Sequence, residues 1–500
     1  MQIFFTSVGK WLADDSIPSK VVDALNEGHL ALNLVGEQKE RLKEFLNTLR
    51  DDLLIIVETD YDDPVYRDSY RNLYSTKLQS YPRHCVRLSF FEPFCSSVSE
   101  FLQQKTEVIQ EKEYYLGFLI VRPLYKCIGR NAIDVRAKKE SLRNVVTCKA
   151  TIKSTCIGHK LSVKAFPHAS QDAEHMSCAE NSIWALIEYF GNKYAIYDPI
   201  LPSGIINTLR DHTDERAIPT SGLTYNQISI LLKKRGFETK IYRKDNPSFK
   251  EKNNPSFKEL FTCYIESGLP LIAGIEGTDF HHALVCIGRS SEEILSNKME
   301  EIEIWGSKRD ICFWNRNINT FVVNDDNFPS YKTIDFEKPA QDYYPRGADA
   351  AITSFIVPLH DEIYLPAELA IDTTNALIDL FGITNSCVRT FLTTSRSYKR
   401  YIVNNDTLTI ENKQALLLLD MPKFVWVSEF FDEARAKQGM TQGVFLLDAT
   451  SNTRSGLLYN NLIIAIHNGN GVKLDKQQGK YITHNTNFPK QFTRFKGNLK

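Results

Sequence analysis

Apolar residues near the start of the chain follow two different periods. Between residues 37 and 50 they recur at intervals of three and four, which predicts an amphipathic helix. The continuous apolar run at 53–57 predicts a buried strand instead, and a further apolar run covers 115–121. We therefore expect a mixed α/β unit over residues 1–150.

The middle of the chain combines one strong helix pattern with three strand-like runs. Apolar residues after Cys178 fall at i, i+3, i+4 and i+7, so a buried helix is predicted to begin at or just after this cysteine and to end at Gly191. Two apolar runs, 269–275 and 282–288, flank a polar turn, and a third run, 320–326, ends in a cluster of Asn and Asp. These elements predict a second unit.

The pattern changes again beyond about residue 350. A helical pattern covers 373–381. The strand-like runs cover 351–357, 414–419, 424–427 and 444–447. Because one hydrophobic core seldom serves 500 residues, we expect about three units, divided as 1–150, 165–335 and 345–500, in an α/β (α+β) fold.

The net charge and the apolar runs of the chain limit the partners and the cellular location that we expect. Lys and Arg number 60 against 61 Asp and Glu, so no net field would collect nucleic acid or anionic lipid. No basic segment followed by an apolar core opens the chain, and no apolar run approaches the roughly 18 to 20 residues that cross a bilayer. We expect a cytoplasmic protein with no membrane contact, for which nucleic acid is an improbable partner.

Cofactor and metal sites have no sequence support. Neither GxGxxG nor GxxxxGK occurs, so no nucleotide fingerprint is present. The ten cysteines include no CxxC pair, and the adjacent His281 and His282 would point to opposite faces of a strand. We expect free thiols, no metal and no cofactor.

Three residues have the chemistry of a cysteine nucleophile and its partners. Cys178 opens the predicted helix, where unpaired N–H groups and the helix dipole stabilise a thiolate. His282 heads an apolar strand, and Asp325 ends another. A carboxylate there would accept the histidine Nδ1–H, fix its tautomer and stabilise the ion pair. The sequence thus predicts a triad in the order Cys, His, Asp.

Neighbouring residues leave alternatives open. Side chains alternate along a strand, so only one of His281 and His282 would face the site; His282 is preferred because it heads the apolar run. Asp325 is preferred to Asp326 by a smaller margin, and Asn324 remains a candidate because an amide can also orient a histidine.

Taken together, these segments resemble the papain-like cysteine peptidase superfamily, and in particular its bacteriocin-processing, C39-like branch. In that branch a Gln precedes a Cys that starts a helix ending in a Tyr-Tyr-Gly-like sequence, as Gln171, Cys178 and 189–191 (YFG) do here. Its His heads an apolar strand ending in Gly, matched by 282–288 (HALVCIG), and its Asp or Asn ends the next strand, matched by Asp325. The resemblance covers about a third of the chain, roughly residues 165–330.

The resemblance implies a role for each matched residue. Cys178 would attack a carbonyl carbon, and His282 would pair with the thiol and later protonate the leaving amine. Asp325 would orient His282, while Gln171 and the Cys178 N–H would hold the oxyanion. A protein or peptide would be the substrate of this cysteine peptidase or isopeptidase, and the two flanking units suggest regulation by these units or by a protein partner.

Two other functions fit the same residues. Transglutaminases and other acyltransferases use the same order of Cys, His and Asp and differ in what attacks the acyl-enzyme. The family commonly has a small residue after the nucleophile, whereas here Ala179 is followed by Glu180. That departure is compatible with a catalytically inactive papain-like scaffold that binds or senses a ligand.

Overall fold

A computed structural model describes most of the chain. The described residues are 2–26, 35–172, 177–210, 222–251, 254–291, 299–304, 307–341, 344–451, 461–475, 480–484 and 488–499.

The first part of the chain forms a five-stranded antiparallel sheet in the order β1-β2-β3-β4-β5, with helices on both faces. Its strands are β1 (Ile3–Ser7), β2 (Leu54–Tyr61), β3 (Cys85–Phe91), β4 (Tyr115–Val121) and β5 (Ile128–Ile133). Its helices are α1 (Val8–Ala13), α2 (Ser16–Asn26), α3 (Val35–Leu46), α4 (Pro64–Asn72), α5 (Val98–Gln103) and α6 (Thr106–Glu111).

Burial on both faces explains why the strands of this N-terminal sheet are apolar throughout. In β2, Ile55 and Val57 belong to one core, which includes Trp11 of α1. Leu54 and Ile56 point the other way into a second core. Because successive strand residues face opposite sides, covering both sides requires a continuous apolar run.

The middle of the chain supplies the elements that surround the candidate site. They are β6 (Val145–Thr147), β7 (Ala150–Cys156), β8 (His159–Ala165), α7 (Cys178–Lys193), α8 (Pro202–Arg210), α9 (Tyr225–Lys234), β9 (Phe237–Arg243), α10 (Phe257–Glu266), β10 (Leu271–Gly277), β11 (Phe280–Ser290), β12 (Glu300–Ile304), β13 (Ser307–Phe313), β14 (Thr320–Asn324), β15 (Lys332–Asp335) and β16 (Ala351–His360). Strands β7 and β8 form a hairpin that packs on the N-terminal sheet.

A central antiparallel sheet has the order β15-β14-β11-β10-β16-β9, and β6 also pairs with β11. One face packs against α7, α8 and α9, with Ile272 and Val285 in that core. The other face packs against α10 and continues into the core of the C-terminal sheet. The central sheet is therefore the middle layer of the molecule.

The remaining elements build a C-terminal sheet in the order β12-β13-β17-β18-β20-β21-β22-β23, in which β13 and β17 form the one parallel pair among the described strands. The elements are α11 (Ala367–Phe381), β17 (Ser386–Thr394), α12 (Ser395–Val403), α13 (Ile410–Leu417), β18 (Phe424–Phe431), α14 (Glu433–Lys437), β19 (Met440–Thr441), β20 (Gly443–Asp448), β21 (Leu462–His467), β22 (Asn470–Asp475), β23 (Lys480–His484) and β24 (Phe492–Thr493).

Strand membership does not follow the residue ranges predicted for the three units. β12 and β13 lie within 165–335 but pair into the C-terminal sheet, whereas β16 lies beyond 345 and pairs between β10 and β9. The apolar pattern identifies a strand but carries no information about which sheet it joins.

One predicted strand is wrong. The run 414–419 belongs mainly to helix α13, which Thr409 caps by accepting a hydrogen bond from the N–H of Asn412. Leucine favours helices, and only one side of this helix meets the core: Leu416 is fully buried, while Leu418, just beyond the helix end, is exposed. The mixed helix and strand content agrees with the predicted α+β class.

Two other expectations concern membrane-spanning helices and the state of the cysteines. None of the helices in the described ranges combines the length and the apolar character needed to cross a bilayer. All ten cysteines fall within the described ranges and are free thiols, as predicted. Most are buried, but Cys95 and Cys178 are half-buried.

Candidate active site

Cys178 is the first residue of helix α7. The Glu180 carboxylate turns back to accept a hydrogen bond from the N–H of Ser177 at 2.7 Å, so this side chain caps the helix that presents the thiol. The cap gives Glu180 a structural role at the start of the helix.

Helix α7 is fixed to the structure around it by polar contacts near its start. Asn181 Nδ2 donates to the carbonyl of Ala169, in the segment that leads to Gln171. One turn into the helix, Ser182 Oγ donates to the carbonyl of Ala283 at 3.5 Å. Since Ala283 follows His282 on β11, the helix bearing the thiol is tied to the strand bearing the imidazole.

Strand β11 presents His282 toward the site. Its backbone pairs with Ile275 of β10, and its side chain is buried, whereas the neighbouring His281 is exposed. The alternation of side chains along the strand separates the two histidines.

The His282 ring lies between a carboxylate and the thiol. Nε2 is 3.0 Å from Asp325 Oδ1, and the Cys178 side chain hydrogen-bonds to the same imidazole. The prediction that the carboxylate accepts Nδ1–H is wrong, because Nε2 makes this contact. Asn324 pairs with Val285, three residues along β11 from His282, so the strand end that carries Asp325 lies close to His282. The Nε2 contact leaves Nδ1 as the nitrogen of His282 that is available to the Cys178 thiol.

Asp325 is held by two further donors. The Tyr344 hydroxyl donates to its Oδ2 at 2.7 Å, and the backbone N–H of Asn327 donates to its Oδ1 at 2.9 Å. The same hydroxyl lies 3.2 Å from His282 Nε2. These contacts fix the direction in which the carboxylate faces the ring.

The two partners stabilise each other in their charged forms. Burial opposes a positive charge on His282, but Asp325, the Cys178 hydrogen bond and Asp326 raise its pKa well above the usual value. Burial would likewise raise the pKa of Asp325, but His282, the Tyr344 hydroxyl and the Asn327 N–H lower it. An imidazolium beside a carboxylate is the expected state near neutral pH.

Asn324 and Asp326, the two alternatives to Asp325 as the partner of His282, differ in their contacts. The Asn324 amide points away from the imidazole, accepting from the N–H of Tyr331 and donating to the carbonyl of Pro167. Asp326 Oδ1 is 3.8 Å from His282 Nε2, and neither of its buried carboxylate oxygens has a hydrogen-bond partner. Burial raises the pKa of Asp326 to about 7, with His282 and Lys126 acting to lower it and Asp325 to raise it.

Replacing Asp326 by asparagine should therefore change how stability depends on pH. The folded protein holds the Asp326 proton more tightly than the unfolded chain, so wild type loses stability as pH rises from about 4 toward about 7. We expect the free energy of unfolding of wild type, relative to Asp326→Asn, to fall by about 1 kcal/mol or more between about pH 5 and about pH 8. Urea denaturation at both pH values measures this difference, and a constant difference would contradict it.

Gln171 is placed beside the loop that follows β14. Its Nε2 donates to Asn327 Oδ1 at 2.8 Å, and its backbone N–H donates to the carbonyl of Asp326 at 3.3 Å. An amide nitrogen carries two hydrogens, so Gln171 has a second N–H beyond the one engaged by Asn327.

Sequence reasoning missed a buried histidine behind Asp325. Asn131 Nδ2 lies 2.9 Å from His168 Nδ1, and His168 Nε2 lies 3.0 Å from the carbonyl of Asp325. Because an amide nitrogen donates and a carbonyl accepts, the ring is neutral with its hydrogen on Nε2. Burial lowers the pKa of His168 to about 4, consistent with this state.

Tyr344 and Asn327 were also missed. Asn327 closes the Asn and Asp cluster after β14, and that cluster was a usable signal. Tyr344 lies 19 residues after Asp325 in sequence and belongs to no motif, so nothing in the chain marked it.

Two groups of side chains in the described ranges have the donors for a metal ion. His282, Asp325 and Asp326 form one, with ligand atoms within 4.8 Å of one another, and 360–362 (HDE) form the other. In the first group, Asp325 already accepts from Tyr344 and Asn327, and the ammonium of Lys126 nearby disfavours a cation. The second group is mostly exposed.

Comparison with family models and with curated proteins gives no match to this chain. Among solved structures, the peptidase domain of Streptococcus ComA, a bi-functional ABC transporter involved in a quorum sensing pathway, aligns with 39% of this chain and 97% of that domain. The sequence identity is 14% and the TM-score is 0.20. A likeness this weak supports no argument about activity.

Proposed function

We propose that the chain is a papain-like, C39-like cysteine peptidase or isopeptidase that works through an acyl-enzyme. The observation that carries this proposal is the buried His282, which contacts the Asp325 carboxylate through Nε2 and the side chain of Cys178 at the start of α7. A thiol at a helix N-terminus beside an imidazolium is in the environment that favours the thiolate, which is the nucleophilic form.

The reaction begins with attack of the Cys178 sulfur on a substrate carbonyl carbon. The tetrahedral intermediate collapses to a thioester as the amine leaves with a proton from His282. Water then attacks the thioester, His282 accepts a proton from it, and the acid product leaves with the thiol restored. Asp325 keeps the imidazole oriented in both steps.

The negatively charged oxygen of each tetrahedral intermediate needs hydrogen-bond donors. We assign this role to the second N–H of Gln171 and to the backbone N–H of Cys178, which is among the unpaired donors at the start of α7. The substrate class is a protein or peptide amide. The ten free thiols support a reducing compartment, and we propose the cytoplasm.

The test is the rate at which iodoacetamide alkylates Cys178 at different pH values, followed by peptide mass spectrometry in the presence of EDTA. The half-buried Cys95, whose pKa burial raises to about 11, serves as the reference thiol in the same sample. We expect labelling of Cys178 to persist near pH 6.5, well below the range in which an ordinary thiol ionises, and His282→Ala to slow it about tenfold or more at that pH.

His281→Ala is the matched control, because this exposed neighbour on β11 should leave the rate unchanged. Labelling of Cys178 that follows an ordinary thiol profile in wild type and in both variants would contradict the proposal. It would instead support a scaffold that binds a ligand without catalysis.

A further inference from the structure

Lys126 brings a positive charge from the N-terminal sheet to the candidate site. It lies between β4 and β5, and its Nζ donates to Asn327 Oδ1 at 2.8 Å. Gln171 Nε2 donates to the same oxygen, also at 2.8 Å. Asn327 Oδ1 therefore accepts one hydrogen bond from Lys126 and another from Gln171, the residue proposed to bind the oxyanion.

The backbone around Lys126 and Gln171 is held by a single guanidinium. Arg122 Nη2 donates to the carbonyls of Lys126 at 3.0 Å, Ile128 at 3.0 Å and Ser170 at 2.9 Å. The backbone N–H of Arg122 also donates to the carbonyl of Cys127 at 2.7 Å. Because Ser170 precedes Gln171, these hydrogen bonds from Arg122 hold the turn that carries Lys126 and the segment that carries Gln171 in fixed positions relative to each other.

The charges around Lys126 keep it oriented toward the aspartates. Partial burial lowers its pKa, and Arg41 and Arg122 act in the same direction, while Asp326 and Asp325 act to raise it. The ammonium thus lies within the electrostatic influence of two carboxylates that attract it and two guanidinium groups that repel it.

We propose that Lys126 is a positioning residue of the active site: through the shared Asn327 oxygen it holds the Gln171 amide in place as the oxyanion donor. The N-terminal sheet then contributes a residue to the catalytic centre, in addition to any role in regulation. This inference rests on the proposed function.

The test compares two reactions of the Cys178 thiol in the full-length protein. With p-nitrophenyl acetate the sulfur attacks the carbonyl carbon, a thioester forms, and p-nitrophenolate leaves with the electron pair of the broken C–O bond. This acylation passes through an oxyanion, whereas alkylation by iodoacetamide displaces iodide and forms none. A residue that acts through the oxyanion donor should affect acylation alone.

We expect Lys126→Met to slow acylation of Cys178 about tenfold or more while changing alkylation by less than about twofold. Lys126→Arg, which keeps a charged donor, should recover part of the loss. Lys112→Met is the matched control, because Lys112 is an exposed lysine of the same unit, and it should change neither rate.

A double-mutant cycle gives a readout that a purely structural role would not reproduce. Gln171→Ala should show the same selective loss, and Lys126→Met combined with Gln171→Ala should be no slower than Gln171→Ala alone. Additive losses, equal losses in both reactions, or no loss in Lys126→Met would each overturn the inference. If wild-type Cys178 reacts slowly in both assays, the proposed function fails, which is a separate outcome.

Discussion

Replacing Asp325 by alanine is expected to slow acylation of Cys178 by p-nitrophenyl acetate about a hundredfold or more. The carboxylate contacts His282 Nε2 and accepts hydrogen bonds from the Tyr344 hydroxyl and the Asn327 N–H. Its removal leaves the imidazole without its orienting partner and without the main attraction that raises the His282 pKa. Alkylation of Cys178 near pH 6.5 should fall as well, since less thiolate is then stabilised.

Two asparagine variants sharpen this experiment. Asp325→Asn retains an oxygen that can accept from His282 Nε2–H, so its loss should be smaller than that of the alanine variant. Asp326→Asn should have a smaller effect than Asp325→Asn, because the Asp326 carboxylate lies 3.8 Å from the same nitrogen. A reversed order of the two asparagine variants would show that Asp326 is the orienting residue.

Replacing Glu266 by alanine is expected to lower the free energy of unfolding by about 3 to 5 kcal/mol. Glu266 ends α10 and is fully buried, and its carboxylate accepts from Arg289 Nε at 2.5 Å and from Arg389 Nε at 3.0 Å. Arg389 also pairs with Glu429 at 3.1 Å. Without Glu266, the buried Arg289 would lose its carboxylate partner, and Arg389 would lose one of the carboxylates that it contacts.

Urea denaturation followed by tryptophan fluorescence measures this loss. Trp314 is a local reporter, since its ring lies 4.8 Å from the guanidinium of Arg289 and 5.5 Å from that of Arg389. Glu37→Ala removes the partly exposed partner of Arg41 on α3 and should cost less than about 0.5 kcal/mol. Equal losses in the two variants would show that the buried cluster contributes no more than a surface pair.

Local elements were largely predictable from the chain. The predicted strand 53–57 lies almost entirely within β2, and helix α7 begins at Cys178 as the apolar periodicity predicts, although it continues past Gly191 to Lys193. The error at 414–419 arose because a short apolar run is compatible with either a strand or a helix.

The candidate site was predictable only in part. Chain order and strand alternation pointed to Cys178, His282 and Asp325. The ring nitrogen that meets the carboxylate depends on the rotamer of His282, which packing and hydrogen bonds in the folded protein select. Tyr344 lies 19 residues from Asp325 and Lys126 lies 201 residues from Asn327, so no local pattern relates either of them to the candidate site.

Apolar periodicity and residue type act over a few neighbouring positions, so they predicted most local elements and the candidate residues Cys178, His282 and Asp325. The sharing of strands among the sheets, the nitrogen of His282 that faces Asp325 and the contact of Lys126 with Asn327 are visible only in the folded structure. The two contacts join residues that are 43 and 201 positions apart in the chain, where the energy of a contact depends on geometry that no local pattern encodes.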